Sequence, residues 1–244
     1  MVVIPARGGS KRLPGKNLFP FAGKPLIAHT IEQALAVPNI ANVVVSSDDD
    51  DILRTAREYT DDAILAVQRP AHLARDETTT EAVLLDLLMT LDVDLVYWPE
   101  IIVLLQCTSP VREPQDIANC IRMIEEDGFD SVLSVVPFDK FLWSKAGLPL
   151  NYNPRKRPRS QDFDGQYVEN GSIYAFKAEE FRRKHCRLFG NIGLYPMGKG
   201  EAFEIDTAFD AWLTESIMTG WKDAKARISW FEGKEVKEQW LALT

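Results

Sequence analysis

A β-branched run leads directly into a glycine-rich, basic loop in the stretch Val2-Val3-Ile4-Pro5-Ala6-Arg7-Gly8-Gly9-Ser10-Lys11-Arg12-Leu13-Pro14-Gly15-Lys16-Asn17. The run predicts a strand over Val2–Ala6. Glycines let the backbone approach a ligand closely, and cationic side chains in the same loop are suited to surround polyphosphate oxygens. Those cations are Arg7, Lys11, Arg12 and Lys16. The stretch therefore predicts a strand that ends in a triphosphate-binding loop, with a solvated turn as the alternative; it matches neither the P-loop nor the Rossmann pattern.

Short β-branched runs alternate with amphipathic stretches along the rest of the chain. This alternation predicts the α/β class, with a mostly parallel central sheet flanked by helices. The further predicted strands are Asn42–Ser47, Ala63–Ala66, Ile101–Leu105, Ser131–Val136, Ser172–Phe176 and Ile192–Pro196. Four helices are predicted. The first covers residues 26–35 and the last, a core helix, covers Ala208–Thr219. Between them, one helix begins at a capping box of Thr78 and Glu81, and another begins at Pro114.

The β-α rhythm breaks in one segment, residues 138–166, which is basic, aromatic and punctuated by prolines. We predict that this segment protrudes from the main domain as a flap or dimerisation arm. The predicted organisation is a nucleotide-binding catalytic α/β domain of residues 1–137 and 167–220, the arm of residues 138–166, and a packed C-terminal tail of residues 221–244. The tail holds the aromatic residues Trp221, Trp230, Phe231 and Trp240.

Composition and charge restrict the possible partners. The chain has 244 residues, a size suited to one large domain, and a formal net charge of −8, which disfavours general binding to nucleic acid or anionic lipid. No apolar run approaches the roughly 18 residues that a membrane span needs, and no signal peptide is recognisable. The three cysteines form no C-x-x-C pair. A cytoplasmic protein without membrane or nucleic-acid partners is therefore expected.

Polar side chains follow two further predicted strands. The acidic run Asp48–Asp51 follows Ser46-Ser47, and we expect it to cap the next helix, with metal binding as the alternative. In Gln106-Cys107-Thr108-Ser109-Pro110, the side chains of Gln106, Thr108 and Ser109 are candidates for reading a base or a sugar, whereas Cys107 is interpreted as a buried structural thiol.

Two carboxylates alternate along Glu204-Ile205-Asp206. On an extended segment they project to the same side and are able to share one hard divalent cation. The alternative is that Asp206 or Thr207 only caps the helix that begins near Ala208. The three histidines, His29, His72 and His185, lack metal-ligand spacing and are interpreted as structural or surface residues.

Taken together, these motifs resemble the N-acylneuraminate cytidylyltransferases, also called CMP-sialic acid synthetases. The resemblance is carried, in family order, by Ala6–Lys11 with Pro14, Lys16 and Asn17, by Val45–Asp48, Gln106–Pro110 and Asp130–Val132, by the arm segment Lys156–Gly165, and by Glu169–Tyr174 and Ile205-Asp206. It implies a fold like that of the nucleotide-diphospho-sugar transferases. It also implies transfer of CMP from CTP to the anomeric hydroxyl of a nine-carbon keto-acid sugar, with Mg²⁺, in a homodimer whose arm reaches the partner's sugar site.

The resemblance also implies a role for individual residues of this chain. Arg7, Lys11, Lys16 and Asp206 would be catalytic, and Glu204 and Asp206 would hold the metal. The nucleotide would be bound by Ala6, Arg7, Gly8, Gly9, Ser10, Lys11, Lys16, Asn17, Arg69, Thr80 and Gln106. The sugar would be bound by Gln106, Thr108, Ser109, Arg159, Gln161, Tyr167 and Asn170. Many relatives have Asp-x-Asp in place of Glu204-Ile205-Asp206.

Three alternatives remain open at this stage. The first is CMP activation of another nonulosonic acid, such as legionaminic, pseudaminic or ketodeoxynononic acid. The second is a GT-A-like glycosyltransferase that uses a preformed nucleotide sugar, although Lys11 and Lys16 favour a triphosphate. The third is a nucleic-acid patch at Arg155–Arg159, which the negative net charge opposes.

Overall fold

The computed structural model describes residues 1–59, 63–95, 98–163 and 165–232. Within them lie nine strands: β1 (Val2–Pro5), β2 (Pro20–Phe21), β3 (Lys24–Pro25), β4 (Val43–Ser47), β5 (Ile64–Gln68), β6 (Ile101–Leu105), β7 (Ser131–Phe138), β8 (Gln166–Lys177) and β9 (Ile192–Pro196). The α-helices among these residues are α1 (Leu26–Leu35), α2 (Asp50–Arg57), α3 (Thr80–Leu95), α4 (Pro114–Glu125), α5 (Ala178–Lys184) and α6 (Ala208–Glu232).

Seven of the strands form one sheet in the order β5-β4-β1-β6-β8-β7-β9, in which β8 alone runs antiparallel to its neighbours. All seven strands predicted from the sequence are present, and the α/β class with a mostly parallel sheet is confirmed. The small β2–β3 hairpin was not predicted, because each of its strands has only two residues. The loops that follow the parallel strands β1, β4, β5 and β6 leave the sheet at the same edge.

The core lies in two layers, one on each face of the sheet. Alternation along β1 directs Val2 and Ile4 into the layer that contains α1, α2 and α4, and Val3 into the layer that contains α3 and α5. All three side chains are fully buried. Because both faces of β1 are covered, the strand has the continuous apolar sequence typical of a central parallel strand.

The helices predicted from the sequence begin where expected, except for α3. The helix predicted from Pro114 begins there, and α1 covers the predicted residues. The predicted capping box at Thr78 is wrong: α3 begins at Thr80, and it is the Thr79 hydroxyl that accepts a hydrogen bond from the Ala82 amide, at 3.2 Å. The Thr78 hydroxyl instead donates to the carbonyl of His72, at 3.3 Å.

Over residues 208–220, helix α6 buries only one of its faces. Ala211 and Thr214 are buried, whereas Phe209 and Trp212 are 65% and 62% exposed, so the prediction of a core helix holds for one side only. The helix continues through residue 220 to Glu232. Residues 233–244, and the packing predicted for the aromatic tail, lie outside the described residues.

A wide bulge in β8 joins the sheet to the arm. Leu133 pairs with Tyr174, but the next pair is Val135 with Glu169, so that residues 170–173 all lie opposite Ser134. The Ser134 hydroxyl donates to Asn170 Oδ1 at 2.6 Å and accepts from the Ile173 amide at 2.9 Å, which stabilises the bulge.

Beyond the bulge, β7 and β8 continue as a two-stranded stem up to the pair Phe138 and Gln166. The segment between these two residues, here called the arm, is the one predicted to be a flap or a dimerisation arm. The rings of Phe141, Tyr152 and Phe163 pack together, and the Arg157 guanidinium lies 4.6 Å from the centre of the Phe141 ring. The arm thus has a small aromatic core of its own.

Among the described helices, none has both the length and the apolarity that crossing a lipid bilayer requires.

Candidate active site

A polar cavity of about 310 Å³ lies where the loops after β1, β5 and β6 meet. Eight of the residues predicted for the site line it: Arg7, Ser10, Lys16, Asn17, Arg69, Thr80, Gln106 and Thr108. A larger cavity of about 620 Å³, lined by Met1 and Ile101, lies at the opposite edge of the sheet and contains none of the predicted residues. The smaller cavity is therefore the candidate site, because ligands of open α/β sheets bind at the carboxyl ends of the strands.

The glycine-rich loop is held against the turn that follows β4. The amide of Gly8 donates to Asp48 Oδ1 at 3.0 Å, and a Cβ at Gly8 would lie 2.6 Å from Asp49 Oδ2, so this close approach requires glycine. The Asp49 carboxylate caps α2 by accepting from the amides of Asp51 and Ile52, at 2.9 and 3.2 Å. The prediction that this acidic run caps a helix is confirmed.

Asn17 and Lys16 fix the far end of the loop. The Asn17 amide group is buried and donates to the carbonyl of Arg7 at 2.8 Å, which closes the loop on itself. Lys16 is only 12% exposed, and its ammonium donates to the carbonyl of Ile205 at 2.7 Å and to Asp206 Oδ1 at 3.1 Å. Arg12 pairs with the other oxygen of Asp206, at 3.0 Å. The cationic loop and the acidic segment are thus one connected site.

The other cations of the loop share a carboxylate that sequence reasoning missed. Arg7 Nη1 lies 2.9 Å from Asp76 Oδ1, and Lys11 pairs with the second oxygen of the same side chain. The two cations lower the pKa of Asp76. Asp76 lines the cavity together with Arg75, so the free site holds a carboxylate at the place where phosphate oxygens are expected.

Arg69 brings a buried positive charge into the cavity wall. It is 6% exposed, and its Nη2 donates to the carbonyl of Ser46 at 2.6 Å. Burial is the main cause that lowers the pKa of its guanidinium. Because no carboxylate accepts from it directly among the hydrogen bonds of the described residues, its charge remains available to an anion in the cavity.

The Glu204–Asp206 pair has the chemistry of a divalent-cation site. Thr207, rather than Asp206, caps α6: its hydroxyl accepts from the Asp210 amide at 3.2 Å, and its amide donates to Asp210 Oδ2 at 2.7 Å. The Asp206 carboxylate is therefore directed at the cavity loop instead of the helix. Burial, and then the negative charge of Asp206, raise the pKa of Glu204.

These observations fit Mg²⁺. A cation between the two carboxylates would relieve the repulsion that disfavours the charged form of Glu204. Within the described residues no three acidic, histidine or cysteine side chains form a metal-binding group, so a cation here would take two protein carboxylates and complete its shell with water or phosphate oxygens, as Mg²⁺ commonly does.

The loop after β6 is organised by a buried arginine that the sequence did not single out. Arg112 is 4% exposed and donates to the carbonyls of Gln106 and Ser172, to the Thr30 hydroxyl at 3.0 Å and to Gln33 Oε1 at 2.9 Å. This network holds Gln106 at the cavity.

Burial raises the pKa of the Cys107 thiol to about 11, as expected for the structural thiol that was predicted. His29 is also structural, because its ring is buried and bonded to the carbonyl of Phe21 at 2.8 Å.

Ser109 and Asn170, which were predicted to bind the sugar, are buried and form hydrogen bonds within the protein. The Asn170 side chain is buried, donates to the carbonyl of Glu201 at 3.0 Å and to Met197 Sδ at 3.2 Å, and accepts from Ser134. The Ser109 hydroxyl is buried and donates to the carbonyl of Asn170, at 3.1 Å. These hydrogen bonds stabilise the β8 bulge, and contact of either side chain with a sugar stays a prediction.

The remaining predicted residues are distributed as follows. Ala6, Gly8 and Gly9 belong to the loop backbone, and Ala6 is buried. Arg159, Gln161 and Tyr167 are exposed on the arm and its stem, where Arg159 pairs with Asp162 at 2.5 Å, and they do not line the described cavity.

The sheet, the cation-lined cavity at its carboxyl edge and the acidic pair together define a nucleotide-binding α/β protein. The cytidylyltransferase family matches residues 1–238, and the chain belongs to this family. An N-acylneuraminate cytidylyltransferase of Oncorhynchus mykiss is 35% identical over 74% of this chain and 42% of its own length. A CMP-N,N'-diacetyllegionaminic acid synthase of Legionella pneumophila is 36% identical over 89% of this chain and 95% of its own length.

The chain thus spans less than half the length of the Oncorhynchus relative and nearly all of the Legionella one. Among solved structures, CMP:2-keto-3-deoxy-manno-octonic acid synthetase complexed with CTP superposes with a TM-score of 0.65 at 21% identity, covering 89% of this chain and 97% of the other. This likeness shows a shared fold.

Proposed function

We propose that the protein transfers CMP from CTP to the anomeric hydroxyl of N-acetylneuraminic acid, giving CMP-sialic acid and pyrophosphate. The observation that carries the proposal is that Arg7, Lys16 and Arg69 line one polar cavity, and that Lys16 also donates a hydrogen bond to Asp206 of the acidic pair. A nucleoside triphosphate needs several cations around its phosphates and a divalent cation beside them. Membership of the cytidylyltransferase family supports CTP as the nucleotide.

Positioning and charge neutralisation provide most of the catalysis in such a transfer. Lys16 is fixed by two hydrogen bonds, so it presents its charge without a further ordering cost. Arg7 and Lys11 would exchange the Asp76 carboxylate for phosphate oxygens when CTP binds. Ser10 and the amides of Gly8 and Gly9 complete the phosphate-binding loop, while Gln106 and Thr108 would bind base or sugar from the loop after β6.

Glu204 and Asp206 would hold Mg²⁺, which supplies charge neutralisation at the α-phosphate and lowers the pKa of a coordinated hydroxyl. The ion pairs with Lys16 and Arg12, which hold one oxygen of Asp206 each, support this role because they fix the carboxylate beside the phosphate-binding loop. Glu204 is longer than the aspartate of many relatives, and the absence of a side chain at Gly171 accommodates its carboxylate.

A second candidate function is CMP activation of legionaminic acid. It is favoured by the Legionella relative, which matches this chain at 36% identity over nearly its whole length. The nucleotide half of the site is the same for both candidates, so only the side chains around the sugar distinguish them.

We further propose a cytoplasmic homodimer in which the arm contacts the partner subunit. Four apolar side chains of the arm are between 37% and 63% exposed: Leu142, Trp143, Leu148 and Leu150. Together they form an apolar surface suited to burial in an interface. The cysteines at 107, 120 and 186 are free, as is usual in a reducing compartment. Light scattering coupled to size-exclusion chromatography should give twice the mass of one chain.

The deciding experiment measures pyrophosphate release with each of the four nucleoside triphosphates and Mg²⁺, in the presence of N-acetylneuraminic, legionaminic, pseudaminic or ketodeoxynononic acid or KDO. Release with CTP and N-acetylneuraminic acid alone supports the proposal, and release with legionaminic acid alone supports the second candidate. No release with any acid contradicts both. Asp206→Ala should abolish turnover while CTP still binds, and a retained rate at saturating Mg²⁺ would refute the role of Asp206.

A further inference from the structure

A buried chain of hydrogen bonds leads from β7 toward the acidic pair. It begins at Ser134 and passes through Asn170, and both side chains are 2% exposed. The Ser134 hydroxyl donates to Asn170 Oδ1 at 2.6 Å, and Asn170 Nδ2 donates to the carbonyl of Glu201 at 3.0 Å and to Met197 Sδ at 3.2 Å. Ser134, Asn170 and the Glu201 carbonyl are here called the Ser134 chain. The chemistry proposed above gives this chain no role.

The segment that carries Glu204 is held at its two ends. The Ser134 chain bonds the carbonyl of Glu201 at one end. At the other end, the Ile205 amide donates to the carbonyl of Thr108 at 2.7 Å, and the Ile205 side chain is only 1% exposed. The residues between these two anchors belong to no helix or strand. The anchors therefore determine where the backbone of Glu204 lies.

Asn170 is also joined directly to the residue that receives the Glu204 carboxylate. Gly171 follows it in the β8 bulge, and a Cβ at Gly171 would lie 2.9 Å from Glu204 Cδ. The backbone carbonyl of Asn170 accepts from the Ser109 hydroxyl at 3.1 Å, which connects the bulge to the loop after β6. One two-residue unit of the bulge thus holds the acidic segment and packs against its carboxylate.

The Ser134 hydroxyl decides which end of the Asn170 amide group faces the acidic segment. Its oxygen accepts from the Ile173 amide at 2.9 Å, so its proton remains for donation and selects Oδ1 of Asn170. The nitrogen is then left to donate to the carbonyl of Glu201. Without the hydroxyl, the amide group loses its short buried hydrogen bond. Rotation would turn Oδ1 toward the Glu201 carbonyl, and two acceptors repel each other.

We propose that Ser134 is a positioning residue, which holds Glu204 where the acidic pair is able to bind a divalent cation. The inference rests on the proposed function, in which Glu204 and Asp206 hold Mg²⁺. Among the hydrogen bonds of the described residues, Ser134 bonds only within the bulge, so it acts on the acidic pair through Asn170. Loss of its hydroxyl should weaken cation binding without removing a ligand.

Ser131 provides the matched control on the same strand. It is fully buried, and its hydroxyl donates to the carbonyl of Phe189 at 2.8 Å and accepts from the Phe189 amide at 3.0 Å. Ser131→Ala therefore removes the same group with the same two kinds of hydrogen bond. Its partner, however, lies in the loop before β9 and not in the acidic segment.

The test titrates wild type, Ser134→Ala and Ser131→Ala with Mn²⁺ in the absence of nucleotide. Mn²⁺ replaces Mg²⁺ as a spectroscopic probe, and electron paramagnetic resonance measures the free ion. Asp206→Ala shows whether the titrated ion occupies the acidic pair. The Mg²⁺ dependence of pyrophosphate release is measured on the same samples. Melting temperatures establish that each variant is folded, and Ser134→Cys, whose thiol is only a weak donor, serves if Ser134→Ala does not fold.

We expect Ser134→Ala to raise the dissociation constant of Mn²⁺ about threefold to thirtyfold, because one buried hydrogen bond no longer orders the segment. The Mg²⁺ concentration that gives half the maximal rate should rise by a similar factor. Ser131→Ala should lower the melting temperature comparably but leave both values within about twofold of wild type, because its hydrogen bonds lie elsewhere.

Two results would overturn the positioning role while the proposed function stands: an unchanged Mn²⁺ affinity in Ser134→Ala, or an equal loss in Ser131→Ala. Mn²⁺ that does not bind wild type, or that binds Asp206→Ala equally well, would overturn the metal site and the role of Ser134 with it. If wild type binds Mn²⁺ at the acidic pair but releases no pyrophosphate with any sugar acid, the proposed function alone is wrong.

Discussion

Gly171 is the position where one added methyl group should report most directly on the acidic site. Its φ of +63° is in the left-handed region, and a Cβ there would lie 2.8 Å from Gln106 Oε1 and 2.9 Å from Glu204 Cδ, and still closer to Glu204 Oε1. Gly171→Ala therefore forces the Glu204 carboxylate to move. Gly128 is the matched control, because it has a φ of +76° with nothing within 4 Å of an added Cβ.

The magnitude follows from two contributions. A left-handed alanine costs about 1–2 kcal/mol, and this applies to both variants. Gly171→Ala adds the cost of overpacking, about 1–3 kcal/mol. For a domain of this size, each kcal/mol corresponds to about 2–4 °C in melting temperature, so Gly171→Ala should melt about 2–12 °C below Gly128→Ala.

The effect on turnover should exceed the effect on stability. Displacing a catalytic group by about 1 Å costs on the order of a hundredfold in rate, and Gly171→Ala displaces Glu204 by a comparable distance. The assay is pyrophosphate release as a function of Mg²⁺ concentration, with calorimetry on the same samples. If Gly171→Ala matches Gly128→Ala in both melting temperature and Mg²⁺ dependence, the placement of Glu204 against Gly171 is wrong.

Three further predictions concern other parts of the molecule. Arg112→Met removes the guanidinium that donates to the carbonyls of Gln106 and Ser172, so two hydrogen bonds from a charged group are lost, and it should lower the free energy of unfolding in urea by about 2–6 kcal/mol. A loss below about 1 kcal/mol would contradict the network around this arginine. Burial lowers the pKa of His29 below its ordinary value of 6.5, so this imidazole is protonated more readily in the unfolded chain than in the folded protein. Stability should therefore fall as the pH drops below 6.5. His29→Gln should flatten that part of the curve of melting temperature against pH. Asp76→Asn releases two loop cations and should lower the KM of CTP by up to about fivefold, a small effect because solvent screens exposed ion pairs; an unchanged KM would show that Asp76 does not compete with the phosphates.

The sheet was largely predictable because its strands carry local signals. The buried runs at Val2–Pro5 and Ile101–Leu105 are apolar throughout, and the helix from Pro114 begins at a residue whose backbone favours that position. The predicted position of the helix cap was wrong by one residue, because Thr78 and Thr79 have the same side chain and only the observed hydrogen bonds distinguish them.

The candidate site was predictable where one segment supplies several groups, as in the glycine-rich loop. It was not predictable where partners are distant in sequence: Arg112 and Thr30 are 82 residues apart, and Arg7 and Asp76 are 69 apart. The buried contacts of Asn170 were not predictable either, because the bulge in β8 turns its side chain toward Ser134 and a bulge has no strong signature in a single sequence.

The stem of the arm has a consequence for how this fold can diversify. Phe138 and Gln166 are paired across β7 and β8, so the distance between the two ends of the intervening segment is set by the sheet and not by the segment itself. A segment of another length or composition, inserted between these residues, would start and finish at the same two points. The arm is thus an exchangeable segment, and evolution or protein engineering is able to replace it without rebuilding the nucleotide cavity.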